Sequence, residues 1–323
     1  MLAIQVDQPG GPEVLKVADL PVPICGPDQL LVELAFSGVN FIDIYQRQGI
    51  YPMPSPYVPG LEGSGVVIEV GSAVSGFTVG DKVAWPSSLG SYSQFHAVAA
   101  TSVVRVPEGV SLDIACAAML QGMTAHYLIA SLYEVKPGDT ALVHAAAGGV
   151  GQLLCQMISS RGATVIGTAS TAEKAQIASQ AGASHVIRYD TEDVASKAKE
   201  ITNGIGVDVV YDGVGLATFD GSLASLKRRG MMALFGGASG MVPPFDLQVL
   251  SRMGSLFVTR PTLADYIVGP GEMQWRADEI FGEHLAGKLN FAIGKTYELK
   301  DASVAHSDLA ARKTTGKLLL ASR

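Results

Sequence analysis

Cysteine is scarce in this chain: Cys25, Cys116 and Cys155 lie far apart and form no CxxC pair. An odd, scattered set encodes neither a disulfide framework nor a cysteine-built zinc site, and a reducing compartment, the cytoplasm, is expected. The histidines, His96, His126, His144, His185, His284 and His306, never fall at HxxxH or HExxH spacing, so no metal site is expected. His144 and His185 read as packing or hydrogen-bonding residues of strands. Charge is sparse as well, with 16% charged residues and 23 Lys and Arg against 30 Asp and Glu, a net −7. Nothing there offers nucleic acid the clustered cations its phosphates require. No stretch approaches the ~20 uninterrupted apolar residues of a membrane span, and the N-terminus lacks a basic start followed by an apolar run. Membrane association is therefore not expected. Gly63-Ser64-Gly65 lacks the GxSxG spacing of a serine nucleophile, which argues against hydrolase chemistry.

Apolar residues and glycine are plentiful. The 323 residues are 48% hydrophobic and include 37 Gly, enough for two domains with sizeable cores. Two textures succeed one another. Up to about residue 110, short Val-rich runs broken by PG, GP and GD pairs read as a β-barrel or sandwich. At Ser111 the texture becomes Ala-rich, and the Ser111 hydroxyl reads as a helix N-cap accepting from a backbone N–H. From Thr140 to Arg260 apolar runs recur about every twenty residues: Ala141–Ala146, Ala163–Ala169, Ser184–Tyr189, Val207–Asp212, Gly230–Gly237 and Ser255–Arg260. Helical segments such as Thr171–Gly182 separate the earlier ones. Six doubly buried strands with helical crossovers make an α/β, doubly wound parallel sheet. Beyond Pro261 come a helix candidate, residues 272–289, and a short apolar end, KLLLA, that can return to the first domain as a strand.

The strongest local signal is Ala146-Ala147-Gly148-Gly149-Val150-Gly151, a G/A-x-G-x-x-G pattern directly after one strand and opening a helix. Small residues there let backbone approach a pyrophosphate, and the helix N-terminus offers N–H groups and partial positive charge. A site preferring NAD places Asp or Glu at the end of the second strand to bond the ribose 2′-hydroxyl. Here that strand ends Gly167-Thr168-Ala169-Ser170-Thr171, without a carboxylate, and Lys174 follows within one helical turn. NADPH is the expected cofactor.

These features, with the segments Ser37–Pro52, Val58–Val67, GDKVAW, GTASTAEKA, VYDGVG, LKRRGMMALFGG and GSLFVTRPTL, resemble the medium-chain dehydrogenase/reductase superfamily over essentially the whole chain. Within it the chain is similar to the zinc-independent quinone oxidoreductases, the zeta-crystallin family. The resemblance implies a discontinuous GroES-like β-barrel catalytic domain, residues 1–122 and 261–323, and an NADPH-binding Rossmann domain, residues 123–260. In the zinc alcohol dehydrogenases the position of Asn40 carries a cysteine ligand and that of Leu61 a histidine ligand, and their structural-zinc lobe has no counterpart here. Asp43 and Glu62 remain, as structural hydrogen-bonding partners. The resemblance further implies that Asn40 lies near the nicotinamide and the reducible group and that Tyr45 and Tyr51 line the substrate cleft. Thr124 would contact the nicotinamide, and Ala146, Gly148, Gly149, Val150, Gly151 and Gly236 would contact the cofactor. Ser170, Lys174, Tyr189 and Arg312 would surround the 2′-phosphate. Edge packing for the tyrosines and a turn-forming role for Asn40 are the competing readings.

A quinone or conjugated carbonyl accepts hydride without a Lewis-acid metal, so loss of the zinc ligands is chemically coherent. Developing oxyanion charge falls to the Asn40 amide or a tyrosine hydroxyl. An enoyl or alkenal reductase and a crystallin-like nucleotide-binding protein of little activity are the alternatives. The last sheet strand would be a bare apolar edge, which predicts a homodimer through that edge.

Overall fold

The structure, a computed structural model, describes residues 1–269 and 271–322. The chain divides into two compact units, one of residues 1–123, 273–285 and 291–323, the other of residues 124–272 and 286–290.

The first unit opens with an antiparallel pair, β1 (Leu2–Gln5) and β2 (Lys16–Asp19). The long strand β3 (Gln29–Val39) organises the rest. On one of its faces Leu30, Val32 and Leu34 enter a core with Val67, Val83, Trp85 and Val98. A short helix, α1 (Phe41–Arg47), follows directly. Next come β4 (Glu62–Val70), β5 (Lys82–Trp85), β6 (Phe95–Ala99) and β7 (Val104–Arg105). Both β4 and β6 pair antiparallel with β3. Then comes α2 (Leu112–Ala117), whose N-cap, Ser111, is extended but makes no side-chain cap. Its hydroxyl donates to the Asp113 carboxylate, and Asp113 Oδ1 accepts from the Ile114 N–H at 2.9 Å, the donor that the Ser111 oxygen would otherwise cap.

From Leu112 the chain stays helical to Leu132, with α3 (Met123–Tyr127) set between two π-helical segments, Ala118–Gly122 and Leu128–Leu132. This 21-residue run is long and apolar enough to span a membrane by length and composition alone, though it is not uninterrupted. Its Asp113, Gln121 and His126 interrupt the apolar sequence, and 72% of its apolar window is buried within the protein, as in a core helix.

The second unit holds a six-stranded parallel sheet. Its strands are β8 (Thr140–Val143), β9 (Thr164–Ala169), β10 (His185–Arg188), β11 (Val207–Asp212), β12 (Leu226–Leu234) and β13 (Phe257–Thr259). They are ordered β10-β9-β8-β11-β12-β13, the doubly wound arrangement. The crossovers carry α4 (Gly149–Ser160), α5 (Ala172–Gln180), α6 (Val194–Ile201), α7 (Phe219–Ser225) and α8 (Gln248–Arg252). Strand β12 begins four residues before the predicted run. A register shift against β11 accommodates the extra residues, with Arg229 at φ +61°.

The chain reaches the first unit again at residue 273, later than 261, because residues 263–266 stay with the second unit, where Tyr266 stacks on Tyr127 at 4.3 Å. Helix α9 (Glu272–Leu285), strand β14 (Ile293–Glu298), helix α10 (Ala302–Ala310) and strand β15 (Lys317–Ala321) complete it. Strand β15 pairs antiparallel with β3 and parallel with β14. Among the described residues this GroES-like sheet of seven strands runs β14-β15-β3-β4-β5-β7, with β6 branching from β3, and shows no pairing that closes it into a barrel.

Candidate active site

In the second unit β8 ends beside β11, at the point where the strand order reverses, and ligands of doubly wound sheets bind at that point. After Val143 the chain turns through Ala145, at φ +50°, whose carbonyl accepts from Gly148 N–H at 2.8 Å. Gly148 is extended and no side chain caps α4, so the first-turn N–H groups are left for a ligand or solvent. The turn tolerates no bulk: a Cβ on Gly151 would sit 2.3 Å from the Ala145 carbonyl oxygen and 2.8 Å from the Ala146 Cα. The cradle therefore fits a pyrophosphate-bearing cofactor. Across the sheet, a Cβ on Gly236 would lie 2.4 Å from the Gly213 carbonyl oxygen, so the loops after β11 and β12 run in direct backbone contact.

At the end of β9, Thr171 caps α5 by accepting from Lys174 N–H at 3.2 Å. Tyr189 N–H donates to Ala169 carbonyl at 3.2 Å and its side chain is exposed. Ser170, Lys174 and Tyr189 thus gather around one strand end with no carboxylate at its tip. Thr124 lies buried in α3 of the same unit. Arg312 belongs to the other unit, exposed just after α10 with φ +56°.

The first unit holds a cluster in which Asn40, Asp43 and Glu62 were named from the sequence and Lys317 and Gln121 were not. Asn40 is the N-cap of α1, and Asp43 reaches back to its N–H at 2.8 Å. The Asn40 side chain points elsewhere. Its Oδ1 accepts from the ammonium of Lys317 at 2.8 Å and from Gln121 Nε2 at 3.3 Å, while Nδ2 donates to Glu62 Oε2 at 2.9 Å and to Gly38 carbonyl at 3.4 Å. Lys317 is also ion-paired with Glu62, and Glu62 Oε1 accepts from Leu120 N–H at 2.6 Å. All three side chains are buried. Gly38 leaves room for the pair, since a Cβ there would overlap Glu62 Oε2. An amide so committed can meet a developing oxyanion only by giving up Glu62 or Gly38.

Behind Asn40, Asp43 Oδ2 also accepts from Tyr92 Oη at 3.1 Å, and Tyr92 Oη meets His306 Nε2 at 3.0 Å. Burial pushes the Asp43 carboxyl up to about 7, while burial and the Arg47 guanidinium hold His306 down to about 3. Tyr45 and Tyr51 form an edge-on pair with centroids 5.5 Å apart, Tyr45 half-buried and Tyr51 exposed.

A doubly wound sheet carrying this turn, with a GroES-like partner unit, defines the dinucleotide-dependent oxidoreductase class. A zinc-binding dehydrogenase family matches residues 149–280, and an alcohol dehydrogenase GroES-like domain matches residues 26–133. The chain is 44% identical to a quinone oxidoreductase of Pseudomonas aeruginosa over 98% of both chains. It is 41% identical to a 2-haloacrylate reductase of a Burkholderia species, over 99% of this chain and 98% of the relative. The structure of Escherichia coli quinone oxidoreductase complexed with NADPH superposes with a TM-score of 0.97 at 42% identity, covering 99% of this chain and 100% of that one. The chain belongs to the zinc-independent quinone oxidoreductases of the medium-chain dehydrogenase/reductase superfamily.

The zinc named in the wider family does not fit these residues. Among the described residues no group of three His, Cys, Asp or Glu side chains converges. At the ligand position the Asn40 carbonyl is already bonded to an ammonium, whose charge repels a second cation.

Proposed function

We propose that this chain is an NADPH-dependent reductase that delivers hydride to quinones or related α,β-unsaturated carbonyl compounds without zinc. The observation that carries the reading is the Lys317 ammonium bonded to Asn40, because it puts a fixed protein cation where zinc enzymes of the superfamily need open ligands. A substrate handled there must accept hydride without Lewis-acid activation, as electron-poor quinones and enones do.

Bound NADPH supplies the hydride. The turn from Ala146 to Gly151 holds its pyrophosphate on the α4 N-terminus, and Gly236 admits it closely past the β12 loop. Ser170, Lys174 and Tyr189 bind the 2′-phosphate, Lys174 by charge. Thr124 positions the nicotinamide. Asn40, held from four sides, shapes the floor of the substrate site, and Tyr45 and Tyr51 line it and exclude water. With the Asn40 amide spoken for, a tyrosine hydroxyl is the donor for charge developing on the acceptor oxygen.

Reduction of an activated C=C bond is the second reading, favoured by the similarity to the 2-haloacrylate reductase. Purified protein is mixed with NADPH and a panel of quinones, enones and haloacrylates while loss of the 340 nm absorbance that marks reduced nicotinamide is followed. Turnover of quinones supports the first reading and turnover confined to haloacrylates the second, whereas NADPH binding without turnover of any acceptor refutes both.

We infer also a homodimer formed through β13. Its support is that, among the described residues, β13 ends the sheet, pairs only with β12 and exposes Phe257. Light scattering at the monomer mass refutes it. A cytoplasmic setting belongs to the same reading, supported by the free thiols of Cys25, Cys116 and Cys155.

A further inference from the structure

A buried chain of polar groups links the cofactor turn to Asp212, and along its path from Ser222 to Thr168 each proton has one place to go. Asp212, at the end of β11, is fully buried, and among the described residues no cation is bonded to it. Its Oδ1 accepts from the N–H groups of Val214 and Gly215 at 2.8 and 3.0 Å. Its Oδ2 accepts the hydroxyl protons of Thr218 and Ser222, each at 2.7 Å. A carboxylate ringed by donors is acceptor-only, so Ser222 has spent its proton and can only accept from His144 Nε2, 2.9 Å away. A neutral imidazole has one N–H, so His144 Nδ1 accepts from the Thr168 hydroxyl at 3.2 Å. Thr168 Oγ1 is left with a lone pair, and the N–H of Ala145 donates to it at 3.3 Å.

The last link matters because Ala145 is a non-glycine residue at φ +50°, a conformation that needs outside support. Its carbonyl organises the turn through Gly148 N–H, and its approach to Gly151 leaves no room for a methyl group. The ends of three adjacent strands, β9 through Thr168, β8 through His144 and β11 through Asp212, are thereby tied to one peptide of the turn. Burial holds the imidazole neutral against the pull of Asp212, which preserves the single-proton logic.

We propose that His144 is a positioning residue for the dinucleotide turn, fixed as the Nε2–H tautomer by Asp212 through Ser222 and thereby aiming Thr168 Oγ1 at Ala145 N–H. The inference rests on the cofactor reading above. It predicts that Ser222, in α7 and outside the turn, affects cofactor binding.

The test uses the full chain with ¹⁵N-labelled histidine, NADPH titration and urea unfolding. The His144 resonances, assigned by their loss in His144→Gln, should report Nε2–H in the wild type and shift toward Nδ1–H in Ser222→Ala. Each of Ser222→Ala and Thr168→Val should weaken NADPH binding about tenfold, and the double variant hardly more than either, since both cut one chain. His144→Gln, which keeps one donor and one acceptor, should bind better than His144→Phe at matched urea midpoints. An Nδ1–H wild type, unchanged NADPH affinity in Ser222→Ala, or additive losses in the double variant overturns the inference. A wild type that holds the Nε2–H tautomer yet fails to bind NADPH overturns the cofactor reading instead.

Discussion

Replacing Lys317 with methionine isolates the central claim about the first unit, that its would-be metal position is a closed ion pair. Lys317 is 2% exposed and Glu62 0% exposed, so water cannot take over from the lost ammonium. In Lys317→Met the Glu62 carboxylate keeps the Leu120 N–H and the Asn40 amide but has lost its cation. Removing one partner of a buried pair costs about 3–5 kcal/mol, most of it the price of the stranded charge. Removing that charge as well, in Lys317→Met with Glu62→Gln, should therefore recover about 2 kcal/mol despite the second substitution. The readout is selective. The chain's two tryptophans, Trp85 and Trp275, both belong to the first unit, so urea unfolding followed by tryptophan emission reports that unit. A Lys317→Met loss below about 1 kcal/mol, the range of exposed pairs, refutes the reasoning. So does a double variant less stable than Lys317→Met.

Gly151→Ala should fold, since the clash is confined to the turn, but bind NADPH at least tenfold more weakly; unchanged affinity in a fluorescence titration contradicts the cradle. Lys174→Ala should weaken NADPH about tenfold and leave NADH unaffected, because only the former carries the 2′-phosphate, and equal losses for both cofactors remove Lys174 from that role. Asp43 predicts a pH effect. Burial raises its folded pKa to about 7 from 3.8, so the folded state holds the proton more tightly than the unfolded chain. Its contribution is fully present below pH 3.8 and lost as pH rises through about 7. Relative to Asp43→Asn, the wild type should gain up to about 1.4 kcal/mol per pH unit as pH falls from 7 toward 4. His306, held down to about 3, loses stability over its own window from pH 6.5 downward in both proteins and cancels in the difference. A wild-type-minus-variant difference that stays flat between pH 7 and 5 contradicts the raised Asp43 value.

What could be read from the sequence is what the chain encodes locally. The turn from Ala146 to Gly151 was legible because close backbone approach leaves no alternative to small residues at fixed spacing, and the approach of Gly151 to Ala145 is the physical form of that rule. The six sheet strands were legible because each is a short apolar run that a crossover helix must separate from its parallel neighbour. Where local rules conflicted, the reading slipped: Ser111 stands at an N-cap, but the Asp113 carboxylate two residues on takes the Ile114 N–H that the Ser111 oxygen would cap. The lysine of the Asn40 cluster lay beyond reach for a different reason. Lys317 and Asn40 are separated by 277 positions and meet only because β15 pairs with β3. The one trace in the sequence is a lysine opening the apolar run KLLLA, an expensive residue to bury unless an anion waits for it. That trace explains why the tail returns to the first unit: β15 brings the cation that Glu62 needs and so completes the site as well as the sheet. His144 shows the same limit on a smaller scale. It was legible as a hydrogen-bonding strand residue, but the direction of its proton depends on Asp212, 68 positions later, whose ring of donors no spacing announces.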